Sequence, residues 1–365
     1  MSWTKHMKLI ITGGGTGGHV YPGLAVAREL KERGGGHGVL FVGAKRGLET
    51  QLVPKEGIEF TALNVSGLKG KGVLTSLVSV WSLMTAIVQS LAIIRKSRPD
   101  VVIGVGGYAS GPMGLAAIMA GKPLAIAEQN AQPGLTNSWL GKFAKKIFLS
   151  MPESKYCFAK GVGEVTGNPV MPEFFSVKRS AGAGPMNILL IGGSQGAAPL
   201  NDAMAQAAPL LDPIAESISI THQTGKADLE MMRTIYKNSR FPWVAENFFH
   251  DMPQKIADAD LVISRAGAGA VSEICAVGRA AIYIPFPRAA DDHQTKNAMS
   301  VVKTGGAILV PEAKLNGKLI ARNIAQFVSS RDRLVEMGKR ARSLSWPGAA
   351  AKIVDGLLEL AGEAV

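Results

Sequence analysis

Cysteine is nearly absent from this 365-residue chain, which carries only Cys157 and Cys275, far apart and without the spacing of metal ligands. That excludes a disulfide framework and a cysteine-based zinc site. Acidic residues are the scarcer charge, 28 Asp and Glu against 40 Lys and Arg, for a net charge of +12. The expected partner is therefore anionic: nucleic acid, a phosphorylated substrate or an acidic membrane surface, and composition does not choose among them. The start, Met1 to Ile11, lacks the build of a signal peptide, because its apolar run is one strand that ends in glycines. A reducing cytoplasm is the simplest expectation. Sequence repeats and low-complexity tracts are also missing, and the length calls for two domains instead of one core.

Charge is missing altogether from Val73 to Ile94, a run long enough for the ~20 residues of a membrane span. Thr75, Ser79, Ser82, Thr85, Ala86 and Gln89 nevertheless fall along one side of a helical wheel, and larger apolar residues cover the other. An amphipathic helix is the reading, with an apolar arc wider than the ~100° that one core contact requires. Leu77, Trp81, Met84 and Val88 form the edge left over, just after Lys69 and Lys71. The helix is either buried on two sides or lies against an anionic bilayer.

What the chain has in abundance is glycine, placed in loops. Ile10-Ile11-Thr12 runs into Gly13-Gly14-Gly15-Thr16-Gly17-Gly18-His19, and Ile188 to Ile191 runs into Gly192-Gly193-Ser194-Gln195-Gly196-Ala197. A strand that breaks into glycines and then opens a helix lets backbone N–H groups approach a phosphate. Apolar runs at 8–12, 39–43, 101–105, 124–127 and 147–149 read as strands, with helices beginning near Pro22, Leu48, Val73, Gly111 and Leu135. Runs at 187–191, 217–221, 243–244, 261–263, 281–284 and 307–310 repeat the arrangement. The alternation predicts parallel sheets with right-handed crossovers, in two Rossmann-like halves facing one cleft. Breakers are dense from Gly167 to Pro185, so the hinge is expected there. The tail after Trp346-Pro347 is a short helix that can pack on either half.

The spacing Gly13-x-Gly15-x-x-Gly18 formally fits a dinucleotide fingerprint. NAD binding also wants an acid ending the second strand, and Leu40 to Arg46 supplies none, which sets a dehydrogenase aside. His19 enters a helix from its positive end, which disfavours imidazolium and keeps the ring able to accept a proton; a turn cap is its plainer role. A third loop, Ser264 to Ala270 followed by Glu273, pairs small residues with the guanidinium fork of Arg265, a match for a nucleoside diphosphate. Glu273 taken alone reads as a first-turn acid that offsets the helix dipole. A fourth cluster, Pro285 to Asn297, concentrates polar side chains after a strand and suits a sugar, or else a solvated helix start. Gly104 to Tyr108 and Glu128-Gln129-Asn130 also follow strands, in the first half. Asp258 and Asp260 precede their strand, the wrong end for a ligand, and are read as a surface turn with no metal.

Gly13 to Pro22, Gly106-Gly107-Tyr108, Glu128-Gln129-Asn130, Gly167-Asn168-Pro169-Val170, Gly192 to Ala197, His222-Gln223-Thr224-Gly225, Ser264 to Glu273 and Asp292-His293-Gln294-x-x-Asn297 together resemble the MurG family. These are the undecaprenyl-diphospho-muramoylpentapeptide N-acetylglucosaminyltransferases of bacterial cell-wall synthesis. The match runs in order over nearly the whole chain. It implies an α/β GT-B fold in which 1–167 with 346–365 forms an acceptor and membrane-associated domain and 168–345 binds UDP-GlcNAc. The implied reaction is metal-independent, needs no cofactor and inverts the sugar: GlcNAc passes from UDP-GlcNAc to the muramic acid 4-hydroxyl of lipid I, giving lipid II. The place implied is the cytoplasmic face of the membrane, as a peripheral protein with no nucleic-acid partner.

By that resemblance Thr16, Gly17, Asn130, Ser194, Gln195, Phe249, Arg265, Ala270, Glu273, Gln294 and Asn297 contact the donor, with Phe249 beside uracil and Glu273 on ribose. Gly14, Gly15, His19, Tyr108 and Asn130 face the acceptor. The base is His19, with Glu128 as the alternative. Because the acceptor's lipid tail stays in the bilayer, Lys142, Lys145 and Lys146 join Lys69, Lys71, Leu77, Trp81, Met84 and Val88 as candidates for the membrane contact. Met171 stands where the family often has arginine. Two rivals share part of this pattern: a UDP-GlcNAc 2-epimerase, which has no use for a lipid-facing edge, and a basic nucleic-acid-binding protein, which leaves the glycine loops without purpose.

Overall fold

A computed structural model describes residues 6–65, 73–158, 163–179, 184–193 and 195–362. Lys69, Lys71 and Ser194 lie outside the described residues, as does the side chain of Leu77. The chain divides into two compact units, Met1–Met171 with Trp346–Val365, and Pro172–Ser345.

The first unit runs β1 (Lys8–Thr12), α1 (Gly17–Glu32), β2 (Gly38–Ala44), α2 (Glu49–Lys55), β3 (Glu59–Leu63), α3 (Val73–Ser97), β4 (Val101–Gly104), α4 (Ser110–Met119), β5 (Leu124–Glu128), α5 (Leu135–Leu140), β6 (Lys146–Leu149) and β7 (Gly163–Val165). All seven strands are parallel, in the order β3-β2-β1-β4-β5-β6-β7. The central strands β4 and β5 are buried throughout, as a parallel sheet covered on both faces requires. The edge strands β3 and β7 are half-exposed and carry no continuous apolar run, so the sequence did not reveal them. Helix α1 begins at Gly17, not near Pro22: the N–H groups of His19 and Val20 already turn back to the Thr16 carbonyl.

Among its described residues, the breaker-rich segment after Gly167 holds the short α6 (Glu173–Ser176). The second unit continues with β8 (Met186–Ile191), α7 (Ala198–Ala207), β9 (Ile218–Gln223), α8 (Leu229–Tyr236), β10 (Trp243–Glu246), α9 (Met252–Asp258), β11 (Leu261–Ser264), α10 (Ala268–Val277), β12 (Ala280–Tyr283), α11 (His293–Lys303), β13 (Ala307–Leu309), α12 (Gly317–Val328) and α13 (Arg331–Arg342). Its sheet is parallel in the order β10-β9-β8-β11-β12-β13. Its core joins Ile188, Leu190, Ile220, Ile263 and Ile282 to helix residues such as Leu200, Met204, Ile320 and Phe327. Full burial of such side chains stabilises by roughly 1.5–3 kcal/mol each.

The tail helix α14 (Ala349–Leu360) settles on the first unit, against α1. Arg33 clasps it, pairing with Asp355 at 2.5 Å and donating to the Ala351 carbonyl at 3.0 Å. Lys146 pairs with Glu359 of the same helix.

On α3, Ala86, Ile87, Ser90 and Ile94 are buried, with the Ser90 hydroxyl donating to the Ala86 carbonyl at 2.7 Å. Trp81, Met84 and Val88 are 74%, 55% and 63% exposed. Part of the polar side of the wheel, Ala86 above all, thus faces the protein, and the wide apolar edge faces outward. The helix is not buried on two sides over its described side chains.

Candidate active site

Strands β1, β4 and β5 are neighbours, so the loops after them converge at the carboxyl edge of the first sheet, where open α/β sheets bind ligands. The first glycine loop is tied there by Gly13 N–H to the Val42 carbonyl and Gly14 N–H to the Gly106 carbonyl, each at 3.1 Å. Its Gly15 N–H donates to Glu49 Oε2 at 2.8 Å, and Ala44 N–H donates to Glu49 Oε1 at 3.0 Å. Glu49 is fully buried. An acid therefore does reach this loop, from the first turn of α2 and not from the end of β2. It packs beneath the loop and holds it, and is not presented to a ribose. Gly15 and Thr16 are exposed, and Gly17 and His19 are half-buried.

His19, in the first turn of α1, places its ring over Gly106. A Cβ at Gly106, whose φ is +91°, would lie 2.7 Å from His19 Nδ1, so only glycine leaves room for the imidazole. His19 Nδ1 is 3.4 Å from Gln129 Oε1. Glu128, the alternative base, is buried, and its carboxylate accepts from the Asn130 backbone N–H at 2.9 Å, Asn130 Nδ2 at 3.1 Å and Asn137 Nδ2 at 2.8 Å. Those bonds shape the β5–α5 loop and occupy the oxygens a base would need. Tyr108, in the loop after β4, is 60% exposed.

In the second unit Gln195 of the Gly192–Ala197 loop is exposed. A Cβ at Gly196 (φ +78°) would lie 2.3 Å from the Thr224 carbonyl, so this loop can lie on the β9 end only as glycine. Gln223 joins two site segments: its Nε2 donates to the Gly193 carbonyl at 3.1 Å and its Oε1 accepts from the Phe249 N–H at 2.9 Å. Phe249 is buried with Lys255 Nζ 5.3 Å from its ring centre. His222 is a fixed core group. Asn201 Nδ2 donates to the Thr224 carbonyl and to Asp228, so Asn201 Oδ1 accepts from His222 Nε2 at 3.0 Å and Tyr236 donates to His222 Nδ1 at 2.8 Å. Burial lowers His222 to about 3, and the ring stays neutral.

The third loop is braced from α11. Gln294 Oε1 accepts from the Ala266 N–H at 3.3 Å and the Phe286 N–H at 2.9 Å, and the fully buried Asn297 donates to the Ala266 carbonyl at 3.2 Å. Before α11, Asp291 and Asp292 both hold left-handed backbone, with φ of 51° and 52°. Arg265 is buried; it pairs with Glu312, donates to the Ile284 and Pro285 carbonyls at 3.1 and 3.2 Å, and lies 5.6 Å from the Phe286 ring centre. These contacts hold its guanidinium in one orientation. Ala270 and Glu273 follow in α10, and burial raises the Glu273 carboxyl to about 7. Glu49, Asn201 and Glu312 escape sequence reasoning, and Gln223 enters it only as part of a motif with no role, because each acts on a partner that the fold brings near.

On the first unit α3, α4 and α5 share one face of the sheet. The same unit also exposes Leu135 (84%), Trp139 and Phe143, the last two with rings 5.4 Å apart, and Lys142 and Lys145. Lys146 does not join them. Ile147 and Leu149 of β6 point into the α4 and α5 side, and by strand alternation Lys146 and Phe148 point to the other, where α14 meets both. Among the described residues no helix is long and apolar enough to cross a membrane.

Residues 9–149 match the glycosyltransferase family 28 N-terminal domain, and 187–353 match the glycosyltransferase family 28 C-terminal domain. The UDP-N-acetylglucosamine--N-acetylmuramyl-(pentapeptide) pyrophosphoryl-undecaprenol N-acetylglucosamine transferase of Syntrophus aciditrophicus is 44% identical over 97% of this chain and 99% of that protein. The crystal structure of Acinetobacter baumannii MurG superposes with a TM-score of 0.78 at 30% identity, covering 97% of this chain and 99% of that one. A UDP-GlcNAc 2-epimerase from Neisseria meningitidis gives 0.69 at 13% identity over 97% of this chain and 100% of that one, a likeness of fold alone. With both domain models matched in order on two Rossmann-like units and near full-length relatives above 40% identity, the chain belongs to glycosyltransferase family 28, in its MurG group.

Proposed function

We propose that this chain transfers GlcNAc from UDP-GlcNAc to the muramic acid 4-hydroxyl of lipid I, forming lipid II, with inversion at the anomeric carbon and without a metal ion or cofactor. The observation that carries this reading is the 44% identity, along nearly the whole of both chains, to an enzyme named for that transfer. The second unit takes the donor. Glu273 accepts the ribose hydroxyls, Phe249 flanks uracil, and Gln195, Ala270 and Gln294 border the diphosphate and sugar. Asn297, with its amide on Ala266, acts by holding the loop. The first unit takes the acceptor through Gly14, Gly15, Tyr108 and Asn130, with Thr16 and Gly17 toward the donor.

His19 removes the proton from the acceptor hydroxyl as that oxygen attacks opposite the departing UDP. The Asn130, Asn137 and Gly134 N–H groups already gathered on Glu128 favour His19 over it. Charge growing on the leaving diphosphate is met by Arg265, which Glu312 and two carbonyls hold in a set orientation, and by backbone N–H groups at the starts of α7 and α10. The exposed Trp81, Met84 and Val88 edge, with Leu135, Trp139, Phe143, Lys142 and Lys145, seats the first unit on the anionic cytoplasmic face of the membrane as a peripheral protein.

UDP release from UDP-GlcNAc, measured with and without a lipid I analogue, tests the reading. Acceptor-dependent release is expected. Release without acceptor, accompanied by 2-epimerised sugar, would transfer the chain to the epimerase class instead.

A further inference from the structure

We propose that Gln129 is a positioning residue that holds His19 in its Nδ1–H tautomer, so that Nε2 is the nitrogen that takes the acceptor's proton; the catalytic half of this rests on His19 being the base. The orientation of the Gln129 amide follows from its other contact. Its Nε2 donates to the Ala127 carbonyl at 3.1 Å, an oxygen that only accepts, so Oε1 is the end turned to the imidazole. An amide oxygen also only accepts, and at 3.4 Å from His19 Nδ1 it calls for a hydrogen on that nitrogen. Gln129 is 1% exposed, which removes the freedom to swing away.

The ring is also confined by Gly106, where a Cβ would lie 2.7 Å from Nδ1. The carboxylates on the neighbouring segments are Glu49, under the glycine loop, and Glu128, at the end of β5. Both carboxylates are already held by N–H donors. A neutral amide such as Gln129 favours one tautomer without charging the ring, which a carboxylate in its place would do.

The test uses the full chain with 15N-labelled histidine, His19→Ala assigning the signal among the six histidines. Above its pKa, His19 is expected to show a protonated Nδ1 and an unprotonated Nε2. Gln129→Met should shift that population toward the other tautomer and lower kcat by about tenfold or more, with KM for UDP-GlcNAc unchanged. Gln129→Glu should restore the tautomer and move the acidic limb of kcat up by about one pH unit. A His19 that carries its hydrogen on Nε2, or one whose tautomer is the same in Gln129→Met, overturns the proposal. An acidic limb that survives His19→Ala overturns the base assignment instead, a separate result from the tautomer.

Discussion

Asn137 Nδ2 donates to Glu128 Oε2 at 2.8 Å, and the Asn130 N–H groups hold the other oxygen of the same buried carboxylate. A carboxylate so engaged organises the β5–α5 loop, and removing its charge leaves buried donors without an acceptor.

From this follows a contrast between the two candidate bases. His19→Ala should lower turnover by about 10²-fold or more and erase the acidic limb of the rate profile, with UDP-GlcNAc affinity nearly intact. Glu128→Gln should instead cost about 1–3 kcal/mol of stability, read by denaturant unfolding, and keep the acidic limb. The opposite pattern would make Glu128 the base.

Glu273 predicts a pH dependence in donor binding. Burial raises its carboxyl to about 7, and in the proposed role the ionised form is the one that accepts both ribose hydroxyls, so KM for UDP-GlcNAc should rise about tenfold per pH unit below 7. Glu273→Gln should bind more weakly and lose that dependence. The folded chain holds this proton up to about 7 while an unfolded carboxyl releases it near 4.5, so the wild type loses stability as pH rises from 4.5 to 7. Unfolding of Glu273→Gln at pH 5 and pH 8 checks this: the variant should gain relative stability at the higher pH.

Arg265 and Glu312 should separate by double substitution. Arg265→Ala is expected to lose both turnover and stability, because it removes a charge from the leaving group and leaves the Glu312 carboxylate unpaired. Adding Glu312→Ala should recover stability but not turnover. On the proposed reading, in which this guanidinium and helix N-termini neutralise the diphosphate, turnover should also persist in EDTA. A requirement for Mg²⁺ or Mn²⁺ contradicts that account.

The exposed edge of α3 should be separable from chemistry. The chain should co-sediment with anionic vesicles, less so as salt is added. Trp81→Ser with Met84→Ser should bind vesicles poorly yet turn over a short-chain, water-soluble acceptor at the parent rate. Sedimentation equal to the parent's would place the membrane face elsewhere on the molecule.

The parallel strands were legible as apolar runs because a strand buried on both faces has no polar positions to interrupt it, as in β4 and β5. The glycine loops were legible for a related reason, since a backbone that must meet a carbonyl as closely as Gly196 meets Thr224 tolerates no other residue. Edge strands β3 and β7 lack the double burial and left no such trace. Tertiary structure alone decided which side of α3 faces outward, because periodicity defines stripes on a helix and packing chooses the stripe that finds a partner. It alone turned Lys146 toward Glu359, and set Arg265 on Glu312. It also brought Gln129 to His19 across 110 residues of sequence. A hydrogen bond reaches about 3 Å in space whatever the separation along the chain, so such pairings leave no local signal in the residues that make them.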